Sequence, residues 1–234
     1  MKQISLRVLT AFLALTIFGS GLVEADERSQ AEWDVIFAKG LAEIKDQPGL
    51  PRVLLIGDSI SVYYTVPTRR SLSGIANVHH IPMNGGNTRV GLTNIDKWLG
   101  EGHWDVIYFN WGLHDIVIKP GGKSAVPIEE YEENLATLIQ RFRKTRAALI
   151  WASTTPVPSH IKAGSARENQ DVIRYNKAAE AIMQKDGIPV DDLYGFIFPH
   201  LAQLQQPEDV HFSDAGSELL ATEVATTIRK ALSK

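Results

Sequence analysis

A three-layer α/β/α domain built on a five-stranded parallel sheet is the fold this sequence predicts. Three observations carry the prediction. The runs Val53-Leu54-Leu55-Ile56 and Val106-Ile107-Tyr108-Phe109 are short and continuously apolar, as strands buried on both faces are. Such runs alternate with stretches of helical period along the chain, the pattern of parallel sheets covered by helices. Each run also ends in a polar or glycine-bearing turn, the first being Gly57-Asp58-Ser59. In open α/β sheets the carboxyl ends of the strands form the edge where ligands bind. The expected strand order is 2-1-3-4-5.

The opening stretch reads as an address. Lys2 and Arg7 make a basic start, residues 8–22 are almost wholly apolar or small, and Val23-Glu24-Ala25 offers small residues at the two positions a signal peptidase reads. Residues 1–25 are therefore expected to be a secretory signal peptide cleaved after Ala25. Residues 26–234 remain as one domain of a size that supports a substantial core. The apolar run is short for a membrane span, so no stable membrane insertion is expected after cleavage, and the expected location is periplasmic or extracellular. The chain has no cysteine, which excludes disulfides, thiolate chemistry and a lipid-modified cysteine. A formal charge of −3 with no basic run makes nucleic acid a poor partner.

After the leader, Trp33, Ile36, Phe37, Leu41 and Ile44 fall on one face of a helix within residues 26–46. The sequence Gln47-Pro48-Gly49-Leu50-Pro51 ends it. The strand into Gly57-Asp58-Ser59 follows, with Asp58 or Ser59 able to cap a helix. Residues 61–67 read as a loop, and Pro67 as the opening of a helix over 67–75. A second strand is expected over 77–83, where adjacent His79 and His80 point to opposite faces and so read as structural rather than as ligands of one metal. Asn84-Gly85-Gly86-Asn87-Thr88 is a turn in which Asn87 or Thr88 caps a helix running to Trp98. The third strand lies within 104–112. A long helix opens at Pro127, with glutamates crowding its start and Arg141, Arg143, Lys144 and Arg146 at its end, in accord with the helix dipole. A fourth strand over 147–153, a helix over 169–185, a short fifth strand from Ile188, a loop through Pro207 to Phe212 and a final helix from Ser213-Asp214 to Leu232 complete the chain.

Four strand-end loops hold unusual residues: Ser59, Gly86, His114 and His211. In a parallel sheet these loops share one edge and can converge. Acyl transfer needs a nucleophile, a base, a carboxylate to orient the base and donors for the oxyanion. Ser59 supplies the first, His211 the second, and Glu208 or Asp209 the third.

With those residues in view, the chain resembles the SGNH (GDSL-type) hydrolases, esterases with a flavodoxin-like fold. Gly57-Asp58-Ser59 is similar to that family's first block, with Ser59 as nucleophile. Gly86 falls at the glycine whose N–H serves the oxyanion hole. Gly112-Leu113-His114-Asp115 stands where the family carries Gly-x-Asn-Asp, and Asp209-Val210-His211 falls at the last block, with His211 as base. The resemblance spans nearly the whole chain from Val53 onward. Two departures accompany it. His114 replaces an asparagine donor; an imidazole N–H can donate to an oxyanion, but it also titrates, and a plain capping role stays open. Asn110 is a lesser candidate for that amide. The family spacing Asp-x-x-His points to Glu208, whereas residue type points to Asp209, and a dyad without an acid is a third option.

The resemblance implies a serine esterase working through an acyl-enzyme, without metal or cofactor. Together with the export signal it implies small acyl esters, acetyl above all, on a carbohydrate or other small molecule. Tyr63, Tyr64 and Trp111 lie near the site in sequence and can stack on a sugar or fill the core. A lipase- or thioesterase-type hydrolase and a catalytically degenerate glycan-binding module on the same fold are the alternatives.

Overall fold

The computed structural model describes residues 29–161 and 166–233; the expected signal peptide lies outside them. The elements in order are α1 (Gln30–Leu41), β1 (Arg52–Ile56), α2 (Ser59–Ser71), β2 (Asn77–His80), α3 (Thr88–Leu99), β3 (Val106–Phe109), α4 (Ile128–Arg143), β4 (Ala148–Ala152), α5 (Asn169–Asp186), β5 (Val190–Asp191), α6 (Leu193–Ile197), a 3₁₀ turn (Phe198–His200), α7 (Leu201–Leu204) and α8 (Asp214–Leu232). The five strands are all parallel, in the order β2-β1-β3-β4-β5. Helices α1, α2 and α8 pack together in one layer and α3, α4 and α5 in the other, giving the expected α/β/α sandwich.

The strands are apolar because both faces are covered. Val53, Leu54, Leu55 and Ile56 are buried, as are all four residues of β3. The register sets Val53 opposite Val106 and Ile56 opposite Phe109, so β1 and β3 end level at the same edge. The loops after both strands therefore open side by side. Helix α4 carries Glu129 and Glu130 in its first turn and Arg141 and Arg143 in its last, which complements its macrodipole.

The structure corrects the sequence reading in several places. Residues 61–67 are helical: α2 starts at Ser59, directly after β1, and Pro67 lies inside it. Asp58 caps this helix by accepting the Ile60 N–H at 2.9 Å. The buried face of Ile60, Tyr64, Pro67 and Thr68 outweighs the single hydrogen bond that a proline removes. Helix α1 is shorter than the apolar spacing suggested and leaves Ile44 outside. The strands β2 and β3 stop at His80 and Phe109, because the chain turns there to form the site loops. Strand β5 is only two residues long, and the loop expected to follow it contains α6, the 3₁₀ turn and α7. No helix among the described residues is long and apolar enough to cross a membrane.

Candidate active site

Two loops bring Ser59, His211 and Asp209 together at the carboxyl edge of the sheet: the turn after β1 carries Ser59, and the loop before α8 carries both His211 and Asp209. Ser59 is the first residue of α2, so its backbone N–H has no acceptor within the helix and sits at the positive end of the dipole. Its Oγ lies 2.8 Å from His211 Nε2. The other ring nitrogen, Nδ1, lies 2.8 Å from Asp209 Oδ1, and the same oxygen accepts the His211 backbone N–H at 3.2 Å. A carboxylate cannot donate, so Nδ1 carries the proton and Nε2 is left to accept from the Ser59 hydroxyl. Burial by itself would raise the Asp209 pKa. The hydrogen bond and charge of the His211 ring, with help from backbone N–H groups, hold it below the ordinary carboxylate value instead.

Of the two carboxylates left open by the sequence, Asp209 is the one on His211. Glu208 is exposed and adopts a left-handed backbone conformation, φ 53°. That turn swings its side chain away and brings the following residue under the imidazole. The spacing that favoured Glu208 is thus overridden by the shape of the loop.

The remaining predicted residues are placed as follows. His114 lies in the turn after β3, and its ring is held neutral: burial lowers its pKa, Asp58 opposes the shift, and Arg167 and His211 add to it. Gly86 has φ 56°, as the turn requires, but its N–H is not free: it donates to Asn84 Oδ1 at 2.9 Å. Gly85 donates to Gly57 O at 2.8 Å, which ties this turn to the turn that carries Ser59. Asn110 is committed elsewhere, donating to Ala152 O at 2.7 Å and Thr154 Oγ1 at 3.2 Å. Tyr64 and Trp111 are core residues, 2% and 1% exposed, and are unavailable for stacking on a ligand. Tyr63 is half-buried and stands edge-on to the His211 ring at 5.2 Å.

His79 and His80 face opposite ways, as the strand period required. His79 Nε2 meets Asp46 Oδ1 at 2.6 Å. His80 is buried behind the nucleophile turn, where its Nδ1 donates to Ile81 O at 2.7 Å and its Nε2 lies 2.7 Å from Ser61 Oγ. Ser61 Oγ is also 2.7 Å from Asp58 O.

Two contributors were not singled out from the sequence. Trp33, on α1, places its ring 5.5 Å from that of His211. Arg167, just before α5, donates through Nε to Leu113 O at 2.6 Å, and its charge is felt at His114, Asp58 and Asp209. Asp115, beside His114, is fully buried; its Oδ1 accepts from Thr88 N at 3.0 Å and Thr88 Oγ1 at 2.6 Å. Nothing in the sequence ties Trp33 to a loop so distant.

Chemically, a hydroxyl bonded to an imidazole that a carboxylate orients can be deprotonated as it attacks a carbonyl. The Ser59 N–H and the neutral His114 ring are donors of the kind that stabilise the resulting oxyanion.

Residues 55–219 match the GDSL-like Lipase/Acylhydrolase family. Solved structures share the fold. An acetyl xylan esterase, AlAXEase, superposes with a TM-score of 0.65 at 14% identity, over 76% of this chain and 99% of that one. A lipase/acylhydrolase from Enterococcus faecalis gives 0.65 at 23% identity, over 77% and 96%. A GDSL-like lipase from Bacteroides thetaiotaomicron gives 0.62 at 15% identity, over 86% and 98%. No curated protein sequence matches the chain.

Proposed function

The chain belongs to the GDSL-like lipase/acylhydrolase (SGNH) family and is an ester hydrolase, and on that premise we propose that it is an exported serine esterase that removes short acyl groups, acetyl above all, from a carbohydrate or similar small alcohol. The observation that carries the reading is the continuous hydrogen-bonded chain from Ser59 Oγ through His211 to Asp209 Oδ1.

In the proposed cycle Ser59 Oγ attacks the ester carbonyl while His211 Nε2 takes its proton. The carbonyl oxygen becomes an oxyanion held by the Ser59 N–H and the His114 ring. His211 then gives the proton to the departing alcohol oxygen as the tetrahedral intermediate collapses to an acyl-enzyme. Water, deprotonated by the same nitrogen, attacks the acyl carbonyl, and Ser59 leaves with the proton returned. Asp209 stays ionised throughout and steadies the imidazolium.

Export rests on the basic start, the apolar run and the small residues before Asp26. The fold shared with an acetyl xylan esterase agrees with a carbohydrate ester as substrate.

A fluorophosphonate probe tests the reading, because only an activated serine reacts with it. Wild type is expected to be labelled at Ser59 and Ser59→Ala not at all, with p-nitrophenyl acetate hydrolysed faster than the octanoate. An unlabelled wild type, or a Ser59→Ala variant that keeps its activity, would overturn the assignment.

A further inference from the structure

An ester has two halves, and the geometry separates where each must lie. In the cycle above, His211 Nε2 protonates the departing oxygen, so the alcohol half lies against the His211 ring. Two aromatic rings already flank that ring. Trp33 stands 5.5 Å from it, tilted by 48°, and Tyr63 stands 5.2 Å from it, edge-on at 82°. Trp33 and Tyr63 pack on each other at 4.6 Å, with Phe37 behind Tyr63 at 6.2 Å. All three aromatic side chains are half-buried, so they form a wall rather than part of the core.

The position of Trp33 is built with some care. It belongs to α1, which precedes the family-matched residues 55–219. Arg69 clamps the far end of this helix, donating to Lys39 O and Ala42 O, both at 3.0 Å, while its Nε donates to Val78 O at 2.9 Å. Gly40 lets α1 lie directly on α2: a Cβ there would stand 2.5 Å from Val62 O. At the near end, Ser29 and Glu32 form a capping box. The helix is thus fixed at both ends, and Trp33 is carried on its first turn beside the base.

We infer that Trp33 and Tyr63 form the alcohol-side subsite and that it receives a sugar ring. The inference rests on the esterase reading above. A pyranose presents a face of C–H bonds, slightly positive, that complements the negative face of an aromatic ring. Its hydroxyl and acetyl groups project sideways to solvent. A linear alcohol covers far less of the wall and gains correspondingly little.

The test has two arms. By calorimetry, methyl tri-O-acetyl-β-xylopyranoside is titrated into Ser59→Ala and into Ser59→Ala/Trp33→Ala, with Trp33→Tyr as the conservative variant and Tyr63→Leu as an independent one. Loss of the Trp33 ring is expected to weaken binding about tenfold, with Tyr restoring most of it. In the active enzyme, Trp33→Ala is expected to lower the kcat/KM ratio of that xyloside to ethyl acetate about tenfold, while the preference for acetyl over butyryl on one alcohol stays as it was. An unchanged dissociation constant, or equal losses on the ring and linear esters, would overturn the inference. Failure of the esterase reading shows separately, as absent fluorophosphonate labelling of wild type, and the binding arm still decides the subsite.

Discussion

Oδ1 of Asp209 accepts twice from His211, from ring Nδ1 at 2.8 Å and from the backbone N–H at 3.2 Å. One oxygen therefore fixes both the plane of the imidazole and the peptide that carries it. Asp209→Asn keeps the shape but can present an N–H to Nδ1, which favours the wrong tautomer. Turnover is expected to fall by about 10⁴, as when an orienting carboxylate is amidated in other triads. Glu208→Gln, on an exposed side chain, is expected to stay within about twofold. Comparing kcat for the two variants on p-nitrophenyl acetate checks this; small, equal losses would mean that the site works as a Ser59–His211 dyad.

His114 stands where an amide donor was expected. Burial keeps the ring neutral, so it offers one N–H, as an amide would. His114→Ala is expected to lower kcat by about 10²–10³, the usual consequence of losing an oxyanion donor. His114→Asn is expected to recover most of that loss. A neutral ring has no proton to lose at neutral pH, so wild type and His114→Asn should share one pH–rate profile above about pH 6.5. A variant profile shifted in that range would show that His114 titrates during catalysis.

Asp115 gives a prediction about stability. Burial drives its pKa up to about 7, against the opposing hydrogen bonds from Thr88. The unfolded carboxyl titrates near 4, so the folded state favours the protonated form. Its contribution to stability is whole below about pH 4 and is lost as pH rises towards about 7. Asp115→Asn has no such proton to lose. Between pH 5 and pH 7 its stability relative to wild type should improve by roughly 2–3 kcal/mol. Urea midpoints across that range measure it, and parallel curves for the two proteins would contradict it.

Gly85 lies against the nucleophile turn. A Cβ at this position would stand 2.7 Å from Gly57 O, an atom of backbone that cannot step aside. Gly85→Ala is expected to destabilise the fold by about 1–3 kcal/mol and to lower activity at temperatures where it remains folded, because the displaced peptide precedes Asp58 and Ser59. Thermal melting with activity measured well below the midpoint separates the two effects.

The parts legible in the sequence were those with local causes. Val53 to Ile56 announce a buried strand by composition, and Gly57-Asp58-Ser59 announces the turn after it. Strand order followed from alternation. The rest depended on geometry that spacing does not encode. The start of α2 was masked by Pro67, whose helix-breaking tendency is overcome by burial of Tyr64 and Thr68. The choice between Glu208 and Asp209 turned on a left-handed residue in the loop, and Gly86 on the reach of the Asn84 side chain. Trp33 was legible only as a core position of an amphipathic helix, because its neighbour His211 is brought to it by the packing of α1 on α2.

A proton count along the line behind the nucleophile has a consequence for how firmly that turn is held. Ile81 O, His80 Nδ1, His80 Nε2, Ser61 Oγ and Asp58 O form three contacts of 2.7 Å, and each needs a hydrogen between its heavy atoms. A neutral imidazole and a hydroxyl supply two. Burial lowers the His80 pKa to about 4, so no third is taken up at neutral pH. The carbonyl of Ile81 claims the Nδ1 hydrogen, since it can only accept. The Ser61 hydroxyl must then divide its single hydrogen between the Asp58 carbonyl and His80 Nε2, alternating as a two-position rotor. The Asp58 carbonyl is therefore held by one constant donor, the Val62 N–H at 3.1 Å, and by one that it shares with His80.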